Sequence, residues 1–389
     1  MRNVKVQLGG RSYSIVIGNQ LLPRLGAECR RLELGRRCAI ISDRNVAPRF
    51  SPLALRSLRD AGFEPELLTV PAGETAKSLR TVQHCYDQFA AHRLERKSFV
   101  VALGGGVVGD LAGFVAATYL RSIPFVQVPT TLLAQVDSSV GGKVGVNLAA
   151  GKNLVGAFYQ PRLVLCDLAT LATLPPREFR AGLAEVIKYG IIYDASFFRR
   201  LEKDLPKLIQ RDPTTLGAVV ARCCAIKAEV VGQDETESGL RAILNFGHTI
   251  GHALEAISGY GKYLHGEAIS IGQIAAAKIS AKLSGLSANE VGRIENLFRR
   301  AGLPTSVRLS PAQREKLFAA MQLDKKVSGG EIKFVLAKKI GHVVTGQKVS
   351  RALIEEALDG PPPAGAEWQN LFDWHRRALR HPKHVQIPW

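Results

Sequence analysis

The sequence predicts an α/β N-terminal domain with a mostly parallel sheet, followed by a mainly α-helical C-terminal domain. Up to Pro175 and Pro176, short apolar runs alternate with helical segments, as in a parallel sheet covered by helices. Beyond these prolines, apolar residues recur at the three- and four-residue steps of helices. We expect domains at residues 1–175 and 176–360, and a tail of unknown role at 361–389.

The strands of the first domain can be placed in order. Apolar residues alternate with polar ones on both sides of Gly9 and Gly10, which predicts an N-terminal β-hairpin. Five short apolar runs then predict the parallel strands, at residues 39–42, 66–70, 99–103, 124–128 and 163–166.

Composition limits the class of protein. With 389 residues, 46% of them hydrophobic and 22% charged, the chain should be globular and well packed. No apolar run has the length of a membrane span and the N-terminus does not resemble a signal peptide, so we expect a soluble cytoplasmic protein without a membrane partner. The six cysteines contain no CxxC pair, and we interpret them as reduced packing residues.

The net charge of +18 favours anionic partners. Arginine clusters such as Arg30, Arg31, Arg36 and Arg37 contribute to it, but no nucleic-acid-binding motif accompanies them. We interpret these clusters as solvated surface and expect no nucleic-acid partner.

Three histidines within 18 residues, His248, His252 and His265, suggest a metal site. His248 and His252 have the i, i+4 spacing that places two rings on one helix face. Thr249 follows His248 where a helical metalloprotease has its glutamate, so peptide hydrolysis is disfavoured. The alternative is that these are capping or core histidines without a metal.

A glycine-rich turn, GGGVVGD at residues 104–110, follows a predicted strand and opens a helix, which indicates a nucleotide-binding site. An ordinary Rossmann start is disfavoured because no ribose-binding acid follows about twenty residues later. We expect cofactor binding across several strand ends instead. The candidate contacts are Asp43, Glu74, Lys77, Gly105, Gly106, Val107 and Asp110. The alternative is a glycine turn that only packs a helix on the sheet.

The segment at residues 129–153 is rich in glycine and polar residues, which we interpret as a binding segment without an apolar core. Lys143 and Lys152 suit a phosphate or carboxylate. Ribose or nicotinamide contacts are expected from Thr130, Thr131 and Asp137, with Ser138 beside them.

These segments together resemble a known family. The glycine turn, the run PTTLLAQVDSSVGGK at residues 129–143, LAEVIK at 183–188, DETESGLR at 234–241 and NFGHTIGH at 245–252 closely resemble 3-dehydroquinate synthases. The motifs are long and keep the family's order, and the resemblance covers about residues 1–358.

The resemblance implies a specific reaction. Members of this family convert 3-deoxy-D-arabino-heptulosonate 7-phosphate into 3-dehydroquinate and phosphate, a step of the shikimate route to aromatic amino acids. The implied steps are transient oxidation by NAD, phosphate elimination, re-reduction, ring opening and intramolecular aldol closure. The implied cofactors are NAD in the first domain and a zinc or cobalt ion in the second.

The resemblance also implies residue roles. Glu185, His248 and His265 become the metal ligands. His252 then either supports the ligands from behind or contacts substrate phosphate, for which Lys143 and Asn153 are also implied. Lys188, Lys227, Arg241 and Asn245 are implied for substrate hydroxyls and carboxylate. For Lys152 and Lys227 the alternative is a solvated surface position.

The implied assembly is a homodimer, in which Arg121 reaches a phosphate. Ser122 replaces the glycine that the family usually has after that arginine, which makes the local turn uncertain. Lys325, Lys326 and Lys338 lie in the region that resembles the family's phosphate-closing segment, but the resemblance does not say which lysine acts.

Three alternatives remain open. Other sugar phosphate cyclases, such as 2-epi-5-epi-valiolone or 2-deoxy-scyllo-inosose synthases, use the same cofactors but should lack part of the carboxylate-binding set. Metal-dependent polyol dehydrogenases would produce NADH. A noncatalytic NAD-binding or nucleic-acid-binding protein would explain the charge but not the ligand set.

Overall fold

The computed structural model describes residues 1–258, 262–322 and 332–359. These residues form the strands β1 (Arg2–Val6), β2 (Tyr13–Gly18), β3 (Arg37–Asp43), β4 (Glu64–Val70), β5 (Phe99–Gly104), β6 (Phe125–Pro129), β7 (Lys143–Leu148), β8 (Gly151–Phe158), β9 (Leu163–Asp167), β10 (Lys333–Lys339) and β11 (His342–Lys348). The helices are α1 (Leu25–Arg30), α2 (Ala47–Asp60), α3 (Leu79–Ala91), α4 (Gly106–Thr118), α5 (Pro176–Ile192), α6 (Ala195–Ile209), α7 (Pro213–Gln233), α8 (His248–Ser258), α9 (His265–Leu283), α10 (Ala288–Arg300), α11 (Pro311–Gln322) and α12 (Arg351–Leu358). Within the described ranges, no helix has the length and apolar character that crossing a membrane requires.

Seven strands form one sheet in the order β1-β2-β9-β6-β5-β3-β4. The β1–β2 pair is antiparallel, and the other neighbouring pairs are parallel. The predicted hairpin and the five predicted parallel strands are therefore confirmed. In the parallel register, Ser42 lies beside Leu103 and Gly104 beside Pro129, so β3, β5 and β6 end together at one edge.

Helices cover both faces of this sheet. One face packs on α1 and α2 through residues such as Ile40 and Val101, and the other packs on α3 and α4 through Ile41 and Val100. Because successive residues of a strand point to opposite faces, every residue of β5 is buried. The continuous apolar runs of the sequence follow from this double burial.

Of the remaining helices, α5 and α7 pack on the β2–β9 side of the sheet. The largest apolar core joins Ile15 of β2 and Val164 of β9 to Leu183 of α5 and Val219 of α7. A separate core holds α8 and α9 together with α11, α12 and the β10–β11 hairpin. The helical character predicted after Pro176 is confirmed, but the strands β10 and β11 within it were not predicted.

The glycine-rich segment at residues 129–153 contributes to an apolar core, which corrects the sequence interpretation. It contains a π-helical turn, Ala134–Ser138, and then β7, which pairs antiparallel with β8. Val144 and Val146 of β7 are buried against α4 in the apolar core. Lys152 therefore lies on a strand and not on a glycine loop.

All six cysteines are buried and free, as predicted. The division into domains at residue 175 stays a prediction, and the tail at 361–389 lies outside the described residues.

Close helix packing should depend on Gly272 of α9. A Cβ atom there would lie 2.0 Å from the carbonyl oxygen of Gly247, next to His248. We expect Gly272→Ala to lower the free energy of unfolding by about 1–3 kcal/mol, because the backbones must move apart. Gly292 of α10 is the matched control, since a Cβ there meets nothing within 4 Å. Urea unfolding should show Gly292→Ala gaining about 0.5–1 kcal/mol, and equal stability of the two variants would contradict the packing argument.

Candidate active site

Three potential metal ligands converge where α5, α8 and α9 meet. Glu185 lies within α5, His248 is the first residue of α8 and His265 is the first residue of α9. Glu185 Oε1 lies 3.5 Å from His248 Nε2 and 3.4 Å from His265 Nε2. The Glu185 side chain is fully buried. The structure thus brings together the three residues that the resemblance implied as ligands.

The turn before α8 orients His248. Gly247 has φ +77°, and a Cβ there would lie 2.4 Å from the backbone nitrogen of Gln273, so the turn can approach α9 only as glycine. His248 Nδ1 lies 3.1 Å from the carbonyl oxygen of Phe246. An Nδ1–H that donates to this oxygen leaves the Nε2 lone pair facing Glu185.

His265 has a charged partner on its other nitrogen. Its Nδ1 lies 3.1 Å from Glu255 Oε2. Burial lowers the pKa of His265, but the hydrogen bonds and charges of Glu185 and Glu255 outweigh burial and raise this pKa to about 10. The carboxylates therefore require positive charge between them, either as a proton or as a metal ion.

Glu267 fixes the start of α9 and does not reach the ligand cluster. Its Oε2 accepts a hydrogen bond from the backbone nitrogen of Leu264 at 2.8 Å, and both of its oxygens pair with Arg177 at 2.7 Å. Glu267 therefore has a structural role at the start of α9.

The ligand cluster fits a divalent metal ion. In a tetrahedral zinc site with bonds of about 2.0–2.1 Å, neighbouring donor atoms lie about 3.3 Å apart, close to the separations found at Glu185. Among the described residues, Glu185 Oε1 has only the two long contacts with the histidine nitrogens, and Oε2 is contacted by the Lys188 ammonium. Three protein ligands leave a position open for water or substrate, and the nitrogen and oxygen donors suit zinc or cobalt.

Two buried lysines adjoin the ligands. Lys188 pairs with Glu185 and lies 3.9 Å from Asp137 Oδ1, while Lys227 donates to Asp137 Oδ1 at 2.7 Å. Burial raises the pKa of Asp137, but Lys227 and Lys188 outweigh burial and hold this pKa well below its usual range. Lys227 is only 6% exposed, so the interpretation of Lys227 as a surface lysine is wrong.

Tyr189, which the sequence analysis missed, anchors the π-helical turn that carries Asp137. Its hydroxyl lies 3.0 Å from the carbonyl oxygen of Val136 and 2.9 Å from Asp137 Oδ1. The tyrosine ring is fully buried. It follows Lys188 directly, so the same stretch of α5 reaches both the ligands and the turn.

A second group of predicted substrate residues is organised by Glu237. One of its oxygens accepts a hydrogen bond from Asn245 Nδ2 at 2.8 Å, and the other pairs with Lys143 of β7. Arg241 is nearly fully buried and donates to the carbonyl oxygens of Gly141, at 3.0 Å, and Glu235. Two fixed acceptors hold the plane of this guanidinium group.

The glycine turn lies at the carboxyl edge of the sheet, as predicted, between β5 and α4. A Cβ at Gly105 would lie 3.0 Å from Thr131 Cγ2, and one at Gly106 would lie 2.9 Å from Ser138 Oγ. The Ser138 hydroxyl is buried without a hydrogen-bond partner among the described residues. Backbone N–H groups at the start of α4, including that of Val107, suit an anionic ligand such as a pyrophosphate.

The other predicted cofactor residues surround this edge. Lys77 Nζ lies 2.6 Å from Asp110 Oδ2 and 2.5 Å from Asn153 Oδ1. Thr130 follows β6, and its backbone nitrogen donates to Gly104 O at 2.9 Å. Two further acids lie near strand ends: Asp43 ends β3 and caps the next turn, and Glu74 accepts a hydrogen bond from Asn147 at 2.8 Å.

Lys152 and His252 lie near the cluster of Glu185, His248 and His265, which we call the metal side of the site. Lys152 Nζ is 3.3 Å from Glu255 Oε1. His252 lies one helical turn beyond His248, and the centroids of these two rings are 5.2 Å apart. The centroid of the His252 ring is 6.0 Å from that of His265. Glu255 was missed by the sequence analysis, although its positions three residues after His252 and seven after His248 place it on the same helix face.

The structure does not place Arg121 at the candidate site of its own chain. It lies beyond the C-terminal end of α4, which starts at Gly106 and is about 20 Å long at 1.5 Å per residue. Ser122 has φ +107°, a conformation that favours glycine, so this turn keeps a glycine-like backbone despite the serine. Lys338 is exposed on β10, and Lys325 and Lys326 lie outside the described residues.

Removal of the Tyr189 hydroxyl should destabilise the protein. In Tyr189→Phe, the Val136 carbonyl and Asp137 lose a buried donor, for which we expect a loss of about 1–3 kcal/mol in the free energy of unfolding. The control is Tyr193→Phe, whose less buried hydroxyl lies one turn later and pairs with Glu229 instead. Urea unfolding of both variants measures the difference, and an unchanged Tyr189→Phe would refute the anchoring role.

Two family models match the chain. The 3-dehydroquinate synthase N-terminal model matches residues 67–181, and the 3-dehydroquinate synthase C-terminal model matches residues 182–327. The 3-dehydroquinate synthase of Desulforamulus reducens is 50% identical over 358 residues, which cover 92% of this chain and 99% of that protein. The 3-dehydroquinate synthase of Nitrosomonas europaea is 50% identical over 349 residues, which cover 90% of this chain and 94% of that protein.

Solved structures extend the comparison. A 2-deoxy-scyllo-inosose synthase complexed with carbaglucose-6-phosphate, NAD⁺ and Co²⁺ has a TM-score of 0.85 and 29% identity, covering 92% of this chain and 100% of its own. The 2-epi-5-epi-valiolone synthase of Streptomyces hygroscopicus, with NAD⁺ and Zn²⁺ bound, has a TM-score of 0.81 and 30% identity, covering 89% and 95%. The NADH-dependent butanol dehydrogenase A of Thermotoga maritima shares only the fold, with a TM-score of 0.64 and 16% identity over 88% of this chain and 95% of its own. Since the two family models together span residues 67–327 and the relatives align over most of their length, the chain belongs to the 3-dehydroquinate synthase family.

Proposed function

We propose that this chain is a 3-dehydroquinate synthase, which converts 3-deoxy-D-arabino-heptulosonate 7-phosphate into 3-dehydroquinate and phosphate. The observation that carries the proposal is the convergence of Glu185, His248 and His265 beside the buried cations Lys188 and Lys227. In a chain about half identical to relatives of that name, this arrangement supplies both a metal site and cationic groups for an anionic sugar acid. A cytoplasmic location stays a prediction.

The cofactors of the proposed enzyme are NAD and a zinc or cobalt ion, as in the related cyclases whose structures contain them. Glu185, His248 and His265 would hold the metal. The dinucleotide would lie along the carboxyl edge of the sheet, against Asp43, Glu74, Lys77, Gly105, Gly106, Val107, Asp110, Thr130, Thr131, Asp137, Ser138, Lys143 and Lys152. When bound, NAD accepts and returns a hydride and the metal polarises substrate oxygens.

The chain's own residues then bind and orient the substrate. Lys188 is buried beside Glu185 and can donate to a hydroxyl next to the ligand cluster. Arg241, with its plane fixed by two carbonyls, suits the substrate carboxylate, and Lys227 and Asn245 lie in the same network of buried charges. Such anchors hold one product conformer during ring closure and reduce the entropy that the reaction must lose.

The substrate phosphate is assigned to residues from both parts of the chain. Lys143 and Asn153 come from the β7–β8 hairpin, and His252 comes from α8. Lys143 is about half exposed and is paired with Glu237, so it can exchange this partner for a ligand phosphate.

In a homodimer, Arg121 would add to the residues that bind the substrate phosphate. Leu120, the residue before it, is 41% exposed, and Tyr159 after the end of β8 donates to Ile123 O at 2.7 Å. The turn after α4 and the end of β8 thus form one surface, on which Leu120 is exposed. This surface suits a second copy of the chain, whose site Arg121 would enter.

The proposed activity predicts turnover without net redox change. Purified protein with the heptulosonate phosphate, a catalytic amount of NAD and zinc should release phosphate and dehydroquinate in equal amounts, with no net accumulation of NADH. Phosphate, dehydroquinate and NADH are each measured over the same time course. If this substrate is not converted but glucose 6-phosphate or sedoheptulose 7-phosphate is, the chain has another cyclase activity. Net NADH production would indicate a dehydrogenase.

The ligand assignment predicts a loss of metal in Glu185→Gln. The amide keeps the size of the side chain but loses its negative charge, so bound zinc should fall from about one ion per chain to nearly none after dialysis. Metal content is measured by atomic absorption on the folded protein. Glu202→Gln is the control, because Glu202 pairs with Arg293 on α10, away from the ligands. Wild-type zinc content in Glu185→Gln would reject the assignment.

A further inference from the structure

Glu255 lies where the ligand cluster at α5, α8 and α9 meets the β7–β8 hairpin. Its Oε2 is 3.1 Å from His265 Nδ1, and its Oε1 is 3.3 Å from Lys152 Nζ. The side chain is only 15% exposed. Its two oxygens thus contact two residues of different predicted roles, one a metal ligand and one a cofactor or phosphate lysine.

The contact with His265 determines which nitrogen can bind a metal. His265 Nε2 faces Glu185 at 3.4 Å, so Nδ1 is the nitrogen that must carry the hydrogen. A carboxylate that accepts this hydrogen fixes the ring orientation and makes Nε2 a stronger ligand. On His248, Nδ1 lies 3.1 Å from a neutral carbonyl oxygen, that of Phe246. Glu255 provides the charged partner of His265.

The contact with Lys152 connects the metal ligand to the β7–β8 hairpin. The next residue, Asn153, has φ +53° and places its Oδ1 2.5 Å from Lys77 Nζ. Lys77 in turn pairs with Asp110 in the first turns of α4. Of two adjacent residues of β8, Lys152 thus contacts Glu255 on the metal side, and Asn153 is connected to the glycine turn through Lys77. Glu255 holds the hairpin on the metal side through this contact.

We propose that Glu255 is a positioning residue that strengthens metal binding through His265 and holds Lys152 in place for a phosphate or carboxylate group of the bound ligands. The inference rests on the proposed metal site and deepens it. In this role Glu255 acts through His265 and Lys152 and does not itself bind the metal or the reacting atoms. Its effect should therefore appear in metal affinity and in KM, and less in kcat once the enzyme is saturated with metal.

The first test measures zinc affinity without activity. The full-length protein is freed of metal with a chelator and titrated with zinc in competition with a chromophoric chelator. Because Gln keeps the shape but not the charge of Glu255, Glu255→Gln should bind zinc about 10–100-fold more weakly than wild type. Glu255→Asp, which keeps the charge, should recover part of this loss. Glu202→Gln should bind zinc as wild type does.

The second test separates the two contacts. Lys152→Met leaves the Glu255–His265 contact in place, so its zinc affinity should stay within about threefold of wild type while its KM for the sugar phosphate rises. With saturating zinc, Glu255→Gln should show a similar rise in KM, and the double variant should be no worse than Lys152→Met alone.

The outcomes distinguish this inference from the proposed function. Wild-type protein that binds zinc, together with Glu255→Gln that binds it equally well, would overturn the role of Glu255 and leave the proposed function intact. Additive KM effects in the double variant would overturn the contact with Lys152. Wild-type protein that binds no zinc would overturn the proposed metal site, and this inference with it.

Discussion

The buried carboxylate of Glu185 is the constraint on which the rest of the site depends. An isolated anion at this depth would cost several kcal/mol, so positive groups must surround it. They come from two elements: Lys188 from the same helix and His265, with its raised pKa, from α9. His248 from α8 also faces the carboxylate. A divalent metal satisfies the same requirement with two charges at one point. The packing of α5, α8 and α9 therefore determines both the stability of the carboxylate and the geometry of the ligands.

Glycine makes this packing possible. Gly247 and Gly272 bring the start of α8 against the middle of α9, and Gly251 allows a further close approach, since a Cβ there would lie 2.5 Å from Ile269 Cδ1. Backbone held this closely cannot shift without overlap, so the histidines that begin the two helices have little freedom. The glycines that flank the histidines in the sequence are thus packing residues whose effect is to hold ligands rigidly, as precise metal sites require.

Much of the fold could be predicted because its signals are local. Buried parallel strands give continuous apolar runs, and the glycine turn lies directly after one of them. The β7–β8 hairpin could not be predicted, because glycines and polar residues interrupt its apolar residues. Gly145 and Gly156 face each other across the hairpin, where a Cβ on Gly145 would lie 2.6 Å from Val155 O. Those glycines, which indicated a loop in the sequence, are required by close pairing of the two strands.

The candidate site likewise contains residues that the sequence reveals and residues that it does not. The histidines and the glycine turn are visible as clusters in the sequence, but Glu185 belongs to a different helix, and only the resemblance to a family connected it to them. Tyr189 and Glu255 act through contacts with Asp137 and Lys152, which lie far away in sequence. No spacing rule relates such pairs, because the fold alone brings them together.

The buried cations Lys188 and Lys227 are shared between several groups of the site. Lys188 contacts Glu185 on the metal side and lies 3.9 Å from Asp137, which belongs to the proposed cofactor side. Lys227 competes with it for the same carboxylate oxygen of Asp137. Loss of any one charge changes the electrostatic balance of the others, because the groups are buried and poorly screened by water. The energies of these residues therefore cannot add. In the proposed enzyme, the single ammonium group of Lys188 would act on the metal ligand, the cofactor site and the substrate together.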